Sequence, residues 1–192
     1  MQLVLASTSP YRKALLDQLH LTFSCASPDA DETLIDGESV EDMVVRFSIL
    51  KAKAVQNDYP EALIIGSDQS ALLDGKILTK PGNRENAFKQ LKATSGKRIT
   101  FQTGLCLLNS KTGNIQTSCI PFTVVFRELS DTVIGQYLDK EQPYNCVGSF
   151  KSEGLGIALF ERFEGDDPNA LIGLPLIELN RFLHNEGVDI LS

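Results

Sequence analysis

The sequence has no tryptophan, two methionines and two histidines among 192 residues. With so little histidine, a histidine base or a histidine-rich metal centre loses its usual residues. His20, at the end of a predicted helix, and His184, in a C-terminal one, both read as surface residues, so carboxylates become the main candidates for proton transfer. Four cysteines, at positions 25, 106, 119 and 146, show no CxxC spacing and no zinc pattern with histidine. No basic region leads into an apolar one at the N-terminus, so a signal peptide is not expected. The thiols therefore read as reduced and mostly buried, in a cytoplasmic protein. No apolar run approaches the ~20 residues that cross a bilayer. A basic field is missing too: the net charge of −7 argues against a nucleic-acid surface, and any phosphate site must be a local cluster. The common nucleotide motifs are absent. Ser95-Gly96-Lys97 lacks the upstream glycine of a P-loop, where Leu91 stands, and the segment Gly148 to Gly156 lacks the third glycine of a dinucleotide fingerprint.

What is present alternates between strand and helix patterns. Residues 2–7 read as a buried strand and 10–20 as a helix, with Ser9 as N-cap and Pro10 at its first position. A short strand at 21–26 precedes an acidic loop holding Asp29, Asp31 and Glu32. Residues 39–57 carry apolar side chains at three- and four-residue steps, the mark of a helix. Residues 62–66 are apolar on both faces, as in a central parallel strand. Leu72 to Leu78 reads as a hairpin around Asp74-Gly75, and Asn83 caps a helix that ends before Gly96. Strands at 98–109 and 115–127, a helix near 130–140, a glycine-rich stretch from Gly148 to Gly173 and a closing helix after Pro175 complete the chain. The predicted architecture is α/β: one domain over residues 1–192, with an elongated mixed sheet and helices packed on it.

Several residues point to anion chemistry. Arg12 and Lys13 fall in the first turn of a helix, where cations are disfavoured. A phosphate bound by Ser7, backbone N–H groups and Arg12 would explain them; an ordinary capped helix with exposed basic residues would also. Asp68, after the apolar run 62–66, stands where α/β sheets bind ligands, although an aspartate there also caps turns. Lys51 continues the apolar stripe of Val44, Phe47 and Val55. It either snorkels to solvent or reaches past the core to a phosphate. Lys80, beyond the hairpin, is either solvated or closes over a ligand. Glu32 is either part of a solvated turn or, with Asp68, a holder of Mg²⁺ against phosphates.

Taken together, Leu5-Ala6-Ser7-Thr8-Ser9-Pro10 with Arg12, Asp31-Glu32, Lys51-Ala52, Gly66-Ser67-Asp68-Gln69, Lys80-Pro81, Ser95-Gly96 and Gly173-Leu174-Pro175-Leu176 resemble the Maf family over nearly the full length. The resemblance implies a fold related to inosine triphosphate pyrophosphatases, with two lobes around a cleft. It implies hydrolysis of a nucleoside triphosphate to the monophosphate and pyrophosphate, with a divalent metal, Mg or Mn. Asp68 matches the proton acceptor of the family, with the base role open between it and Glu32. Arg12, Glu32, Lys51 and Lys80 match its phosphate and metal site. Tyr11, Gln69 and Glu153 match the positions that set specificity in the branch acting on 7-methyl-GTP, where tryptophan often stands in place of Tyr11. A π-face attracts the cationic methylated base, and a carboxylate accepts hydrogen bonds from guanine. The implied partner is a small-molecule nucleotide, with neither nucleic acid nor membrane, and a homodimer is left open. A dTTP or UTP pyrophosphatase of the same family and a non-catalytic nucleotide-binding regulator of cell division are the alternatives.

Overall fold

In the computed structural model, which describes residues 1–192, the chain runs β1 (Gln2–Ala6), α1 (Pro10–Asp17), β2 (Phe23–Ala26), α2 (Val40–Ala54), β3 (Ala62–Leu73), β4 (Lys76–Leu78), α3 (Arg84–Thr94), β5 (Arg98–Asn109), β6 (Ile115–Phe126), α4 (Asp131–Glu141), β7 (Phe160–Glu164), α5 (Pro168–Ile172) and α6 (Leu176–Asn185). The seven strands form one mixed sheet in the order β2-β1-β3-β5-β6-β7, with β4 paired to β3. Strand β1 is parallel to β2 and β3, whereas β4 and β7 run antiparallel to β3 and β6.

The chain divides into two compact units, residues 1–69, 102–120 and 167–192 in the first and 70–101 and 121–166 in the second. In the first unit both sheet faces are covered, and strand alternation decides which side chain goes where. Leu3, Leu5, Leu63, Ile65, Leu105 and Leu107 pack with Leu15 and Leu16 of α1 and Leu179, Phe182 and Leu183 of α6. Their sequence neighbours Val4, Ala6, Ala62, Ile64, Cys106 and Leu108 pack on the other face with Ala52 and Val55 of and after α2. Each large side chain so buried contributes about 1.5–3 kcal/mol, which is why the sheet cannot slip by one residue without exchanging its two cores.

Helix α2 lies unusually close to the sheet. A Cβ on Gly66 would sit 2.0 Å from the Ser48 carbonyl oxygen, and one on Gly104 would sit 2.2 Å from that of Val44. Only glycine in both neighbouring strands lets the helix backbone settle at this depth.

In the second unit α3 packs on α4, and the rings of Phe101, Phe126, Phe150 and Phe160 meet edge to face at centroid distances of 4.9–5.6 Å, a geometry their quadrupoles favour. Asp74 and Gly75 close the β3–β4 hairpin with φ of 51° and 77°, as a two-residue turn between twisted strands requires.

Four expectations are corrected. Strand β3 does not stop at 66 but continues through Leu73; the polar residues that suggested its end are satisfied by tertiary partners. Helix α1 ends at Asp17 rather than 20, where the chain turns so that Leu19 and Leu21 reach the core. The glycine-rich stretch contains β7 and α5, both too short to carry a periodic signal. The thiols are not mostly buried: Cys106 is buried, Cys119 and Cys146 are half-buried and Cys25, on the edge strand β2, is exposed. Burial pushes the Cys106 thiol up to about 12 and that of Cys119 up to about 11. Both histidines are exposed, as expected, and no helix is long and apolar enough to cross a membrane.

Replacing Gly66 with alanine must move α2 or bend β3. Urea denaturation of Gly66→Ala is expected to show a loss of about 3 kcal/mol; stability within about 0.5 kcal/mol of wild type would contradict the close contact.

Candidate active site

Alternation along β3 also sorts the functional side chains. Ala62, Ile64, Gly66 and Asp68 face α2, and Leu63, Ile65, Ser67 and Gln69 face the side of α5 and α6. The register between β1 and β3 reaches only Leu5 and Ile65, and β1 ends at Ala6. Beyond it this edge of β3 has no strand partner until β4 joins at Ala71, and in that interval the charged residues gather. Asp68 is therefore not behind a strand end, as the sequence suggests, but within a strand that outlasts its parallel neighbour.

Lys51, on the last full turn of α2, does not snorkel to solvent. Its side chain is 12% exposed, and its Nζ lies 2.6 Å from Asp68 Oδ1 and 3.0 Å from Glu32 Oε1. Asp68 is similarly covered at 16%, whereas Glu32 is open at 49%. One ammonium thus holds two carboxylates that would otherwise repel each other. Glu32 is brought to it by an anchored loop. Asp31 Oδ1 accepts the N–H and hydroxyl of Thr33, at 3.0 and 2.5 Å, which makes Asp31 a turn former. Arg46 of α2 donates to Glu38 and to the Thr33 carbonyl.

Arg12 enters from α1. Its Nε donates to the Gly173 carbonyl at 2.8 Å, and that carbonyl also accepts from Ser67 Oγ at 2.9 Å. Burial pulls the guanidinium below its ordinary value, while the charges of Asp68 and Glu32 act in the opposite sense. Arg12, Lys51, Asp68 and Glu32 therefore form one electrostatic unit, balanced at two charges of each sign. The first turn of α1 contains no acid, so the unfavourable position of Arg12 against the helix dipole is offset by Gly173 and these carboxylates. Ser7 is buried. Its Oγ accepts the Ser9 N–H at 3.1 Å, and Ser9 Oγ caps the helix on the Arg12 N–H at 3.4 Å; both hydroxyls shape the turn.

Gln69 faces away from Asp68. Its Nε2 donates to the Ala170 and Leu171 carbonyls of α5, at 2.7 and 3.1 Å, and to Thr103 Oγ1 at 3.0 Å. The two carbonyls can only accept, which fixes the nitrogen on their side and turns Oε1 away from them. Tyr11 is half-buried in the first turn of α1, and α1 packs on α5, the helix whose carbonyls accept from Gln69.

Lys80 and Glu153 belong to the second unit and are exposed. The segment of Glu153 is well supported. The Lys151 N–H donates to Tyr137 Oη at 3.1 Å, and the Leu155 N–H donates to Glu141 Oε2 at 2.8 Å. A Cβ on Gly156 would lie 2.2 Å from the Lys151 carbonyl oxygen, so the segment folds tightly on itself.

Sequence reasoning missed Ser48, Ser67, Thr103 and Asp167. Asp167 is buried and joins two helix starts, accepting the N–H of Asn169 at 2.9 Å and of Ile177 at 2.8 Å. Ser48 had a readable signal: a hydroxyl on the buried stripe of α2, four residues from Val44 and three from Lys51.

As donors for a metal, Glu32 and Asp68 fit a hard divalent cation. Both are carboxylates, both already meet a cation at one point, and no group of three or more His, Cys, Asp or Glu residues is assembled. A cation here would complete its shell with water and substrate oxygens, the habit of Mg²⁺ rather than Zn²⁺.

Removing the ammonium should be costlier than removing the pair. Lys51→Met is expected to lose about 1–3 kcal/mol in urea denaturation, and addition of Asp68→Asn should recover part of that loss. Strictly additive effects would contradict the coupling.

Residues 2–186 match the family described as Maf-like protein. The chain is 55% identical over 190 residues to a protein of Colwellia psychrerythraea named 7-methyl-GTP pyrophosphatase, with 99% of this chain and 95% of the relative covered. Proteins of the same name from Pseudomonas aeruginosa and Alcanivorax borkumensis are each 54% identical over 188 residues, covering 98% of this chain and 98% and 95% of theirs. Among solved structures, the Ham1 protein of Staphylococcus aureus shares the fold, with a TM-score of 0.52 and 16% identity over 97% of this chain and 100% of its own. With a family match over residues 2–186 and relatives above half identity across almost the whole chain, the chain belongs to the Maf family.

Proposed function

We propose that this chain hydrolyses 7-methyl-GTP to 7-methyl-GMP and pyrophosphate. The observation that carries the reading is the cluster of Lys51 with Asp68, Glu32 and Arg12, a paired set of cations and carboxylates at an open strand edge, in a chain more than half identical to proteins bearing that name.

In this reading Asp68 accepts a proton from water as the water oxygen bonds to the α-phosphorus. The bond from that phosphorus to the bridging oxygen breaks, and pyrophosphate leaves with its electron pair. Arg12 and Lys51 meet the negative charge that develops on the phosphates, which is where fixed cations gain most. Ser7 belongs to the same phosphate set, and the resemblance to the family gives Lys80 a phosphate role as well. Glu32 shares the base or the metal role with Asp68. Glu32 and Asp68 would hold Mg²⁺ or Mn²⁺, which when bound neutralises triphosphate charge and polarises the phosphorus.

The resemblance to the family gives base choice to Tyr11, Gln69 and Glu153. The ring of Tyr11 offers a π-face to the cationic methylated guanine. Gln69 Oε1 and the Glu153 carboxylate are acceptors only, suited to the N1–H and amino group of guanine. Uracil and thymine present carbonyl oxygens flanking one N–H, which such acceptors repel.

Pyrophosphate release from a panel of nucleoside triphosphates tests the reading. 7-Methyl-GTP is expected to exceed GTP, UTP and dTTP in kcat/KM by at least about tenfold, a difference of one or two specific contacts. Preference for UTP or dTTP would overturn it. Glu153→Gln should reduce the advantage of 7-methyl-GTP over GTP. Asp68→Asn should lower kcat by about 10²–10⁴-fold, the range for loss of a positioned base, and full activity in that variant would remove Asp68 from the chemistry.

A further inference from the structure

Ser48 lies fully buried in the middle of α2. A serine there would normally return its hydroxyl to the turn before it, and it does: Oγ donates to the Val44 carbonyl at 2.6 Å. The same oxygen accepts the backbone N–H of Asp68 at 3.0 Å. That N–H belongs to the stretch of β3 that has outrun β1, so no parallel strand is beside it to take the bond. A buried backbone donor without a partner is costly, and here a side chain supplies what the sheet does not.

The contact depends on the depth at which α2 sits. A serine side chain is one carbon long and reaches a strand N–H only if the helix backbone is almost against the strand. Gly66 and Gly104 permit this; a Cβ on Gly104 would lie 2.7 Å from Ser48 Oγ itself. Lys51 follows Ser48 by three residues on the same helix face and meets the side chain of the same aspartate at 2.6 Å. The main chain of Asp68 is thus tied to α2 through Ser48 and its carboxylate through Lys51. Two bonds from one helix to one residue define an orientation, which a single ion pair to a flexible lysine would not.

We infer that Ser48 is a positioning residue for Asp68: its hydroxyl holds the backbone of the proton acceptor so that the carboxylate stands in a fixed place relative to Lys51. This rests on the hydrolytic reading above. Ser48 is fully buried, with its hydroxyl bonded to Val44 and Asp68, so its removal should loosen the geometry of the reacting step and leave nucleotide binding intact.

Ser48→Ala is expected to lower kcat for 7-methyl-GTP by about tenfold, with KM within about twofold of wild type, and to speed hydrogen exchange at the Asp68 amide. Val55→Ala, which removes packing at the C-terminal end of α2 without a link to Asp68, serves as the control: it should lower Tm and leave kcat within about twofold. A Ser48→Ala enzyme with wild-type kcat would overturn the inference, and so would a Val55→Ala enzyme whose kcat falls as far. In the wild type, the Asp68 N–H should exchange at least about tenfold more slowly than that of exposed Lys80; equally fast exchange overturns the inference even if Ser48→Ala does not fold. A wild-type protein that releases no pyrophosphate from any nucleotide would sink the hydrolytic reading instead, and the exchange measurement would still judge the bond.

Discussion

The close seating of α2 on β3 is the constraint on which the rest depends. It requires glycine at 66 and 104, because any side chain there would occupy the space of helix carbonyls. In return it places Ser48 and Lys51 over Asp68 and carries a lysine ammonium into a largely covered position. That position is stable because two carboxylates share it. Neither the helix nor the strand would make this arrangement alone: Lys51 would extend into water, and the polar residues of β3 would end the strand.

The same strand serves two faces through simple alternation. Even-numbered residues at this part of β3 belong with α2, and odd-numbered ones with α5 and α6. Asp68 and Gln69, adjacent in sequence, consequently have different partners and different work: one pairs with a lysine, the other spends its amide nitrogen on α5 and keeps an acceptor oxygen. Arg12 links the two sides, bonded to Gly173 next to α5 and in the field of Asp68 and Glu32.

Much of the fold was legible because its signals are local and strong. The stripe of α2, the hairpin turn at Asp74-Gly75, the caps at Ser9 and Asn83, and the double-faced apolar run at 62–66 all record burial in periodicity or in turn chemistry. What escaped was short or paired at a distance. Strand β7 and helix α5 are five residues each, too brief to show a period. The continuation of β3 through Ser67, Asp68 and Gln69 could not be read because the partners of those residues come from positions 48, 51, 104 and 170–173. Cys25 reads as a small apolar residue, yet its exposure follows from the edge position of β2.

The sequence by itself determined the α/β class, the family, and a set of residue types suited to phosphate and guanine, since motif, spacing and charge are properties of the chain. It left each of those residues with two readings: Lys51 in water or in a site, Glu32 in a solvated turn or beside another carboxylate, Ser7 binding an anion or shaping a turn. Tertiary structure decided Lys51 and Glu32 by bringing them to one point with Asp68, and it added Ser48 and Gly66, whose importance lies in what they touch. The reason is distance: a charge or hydroxyl acquires its energy from partners within about 3–4 Å, and those partners lie tens of residues away along the chain.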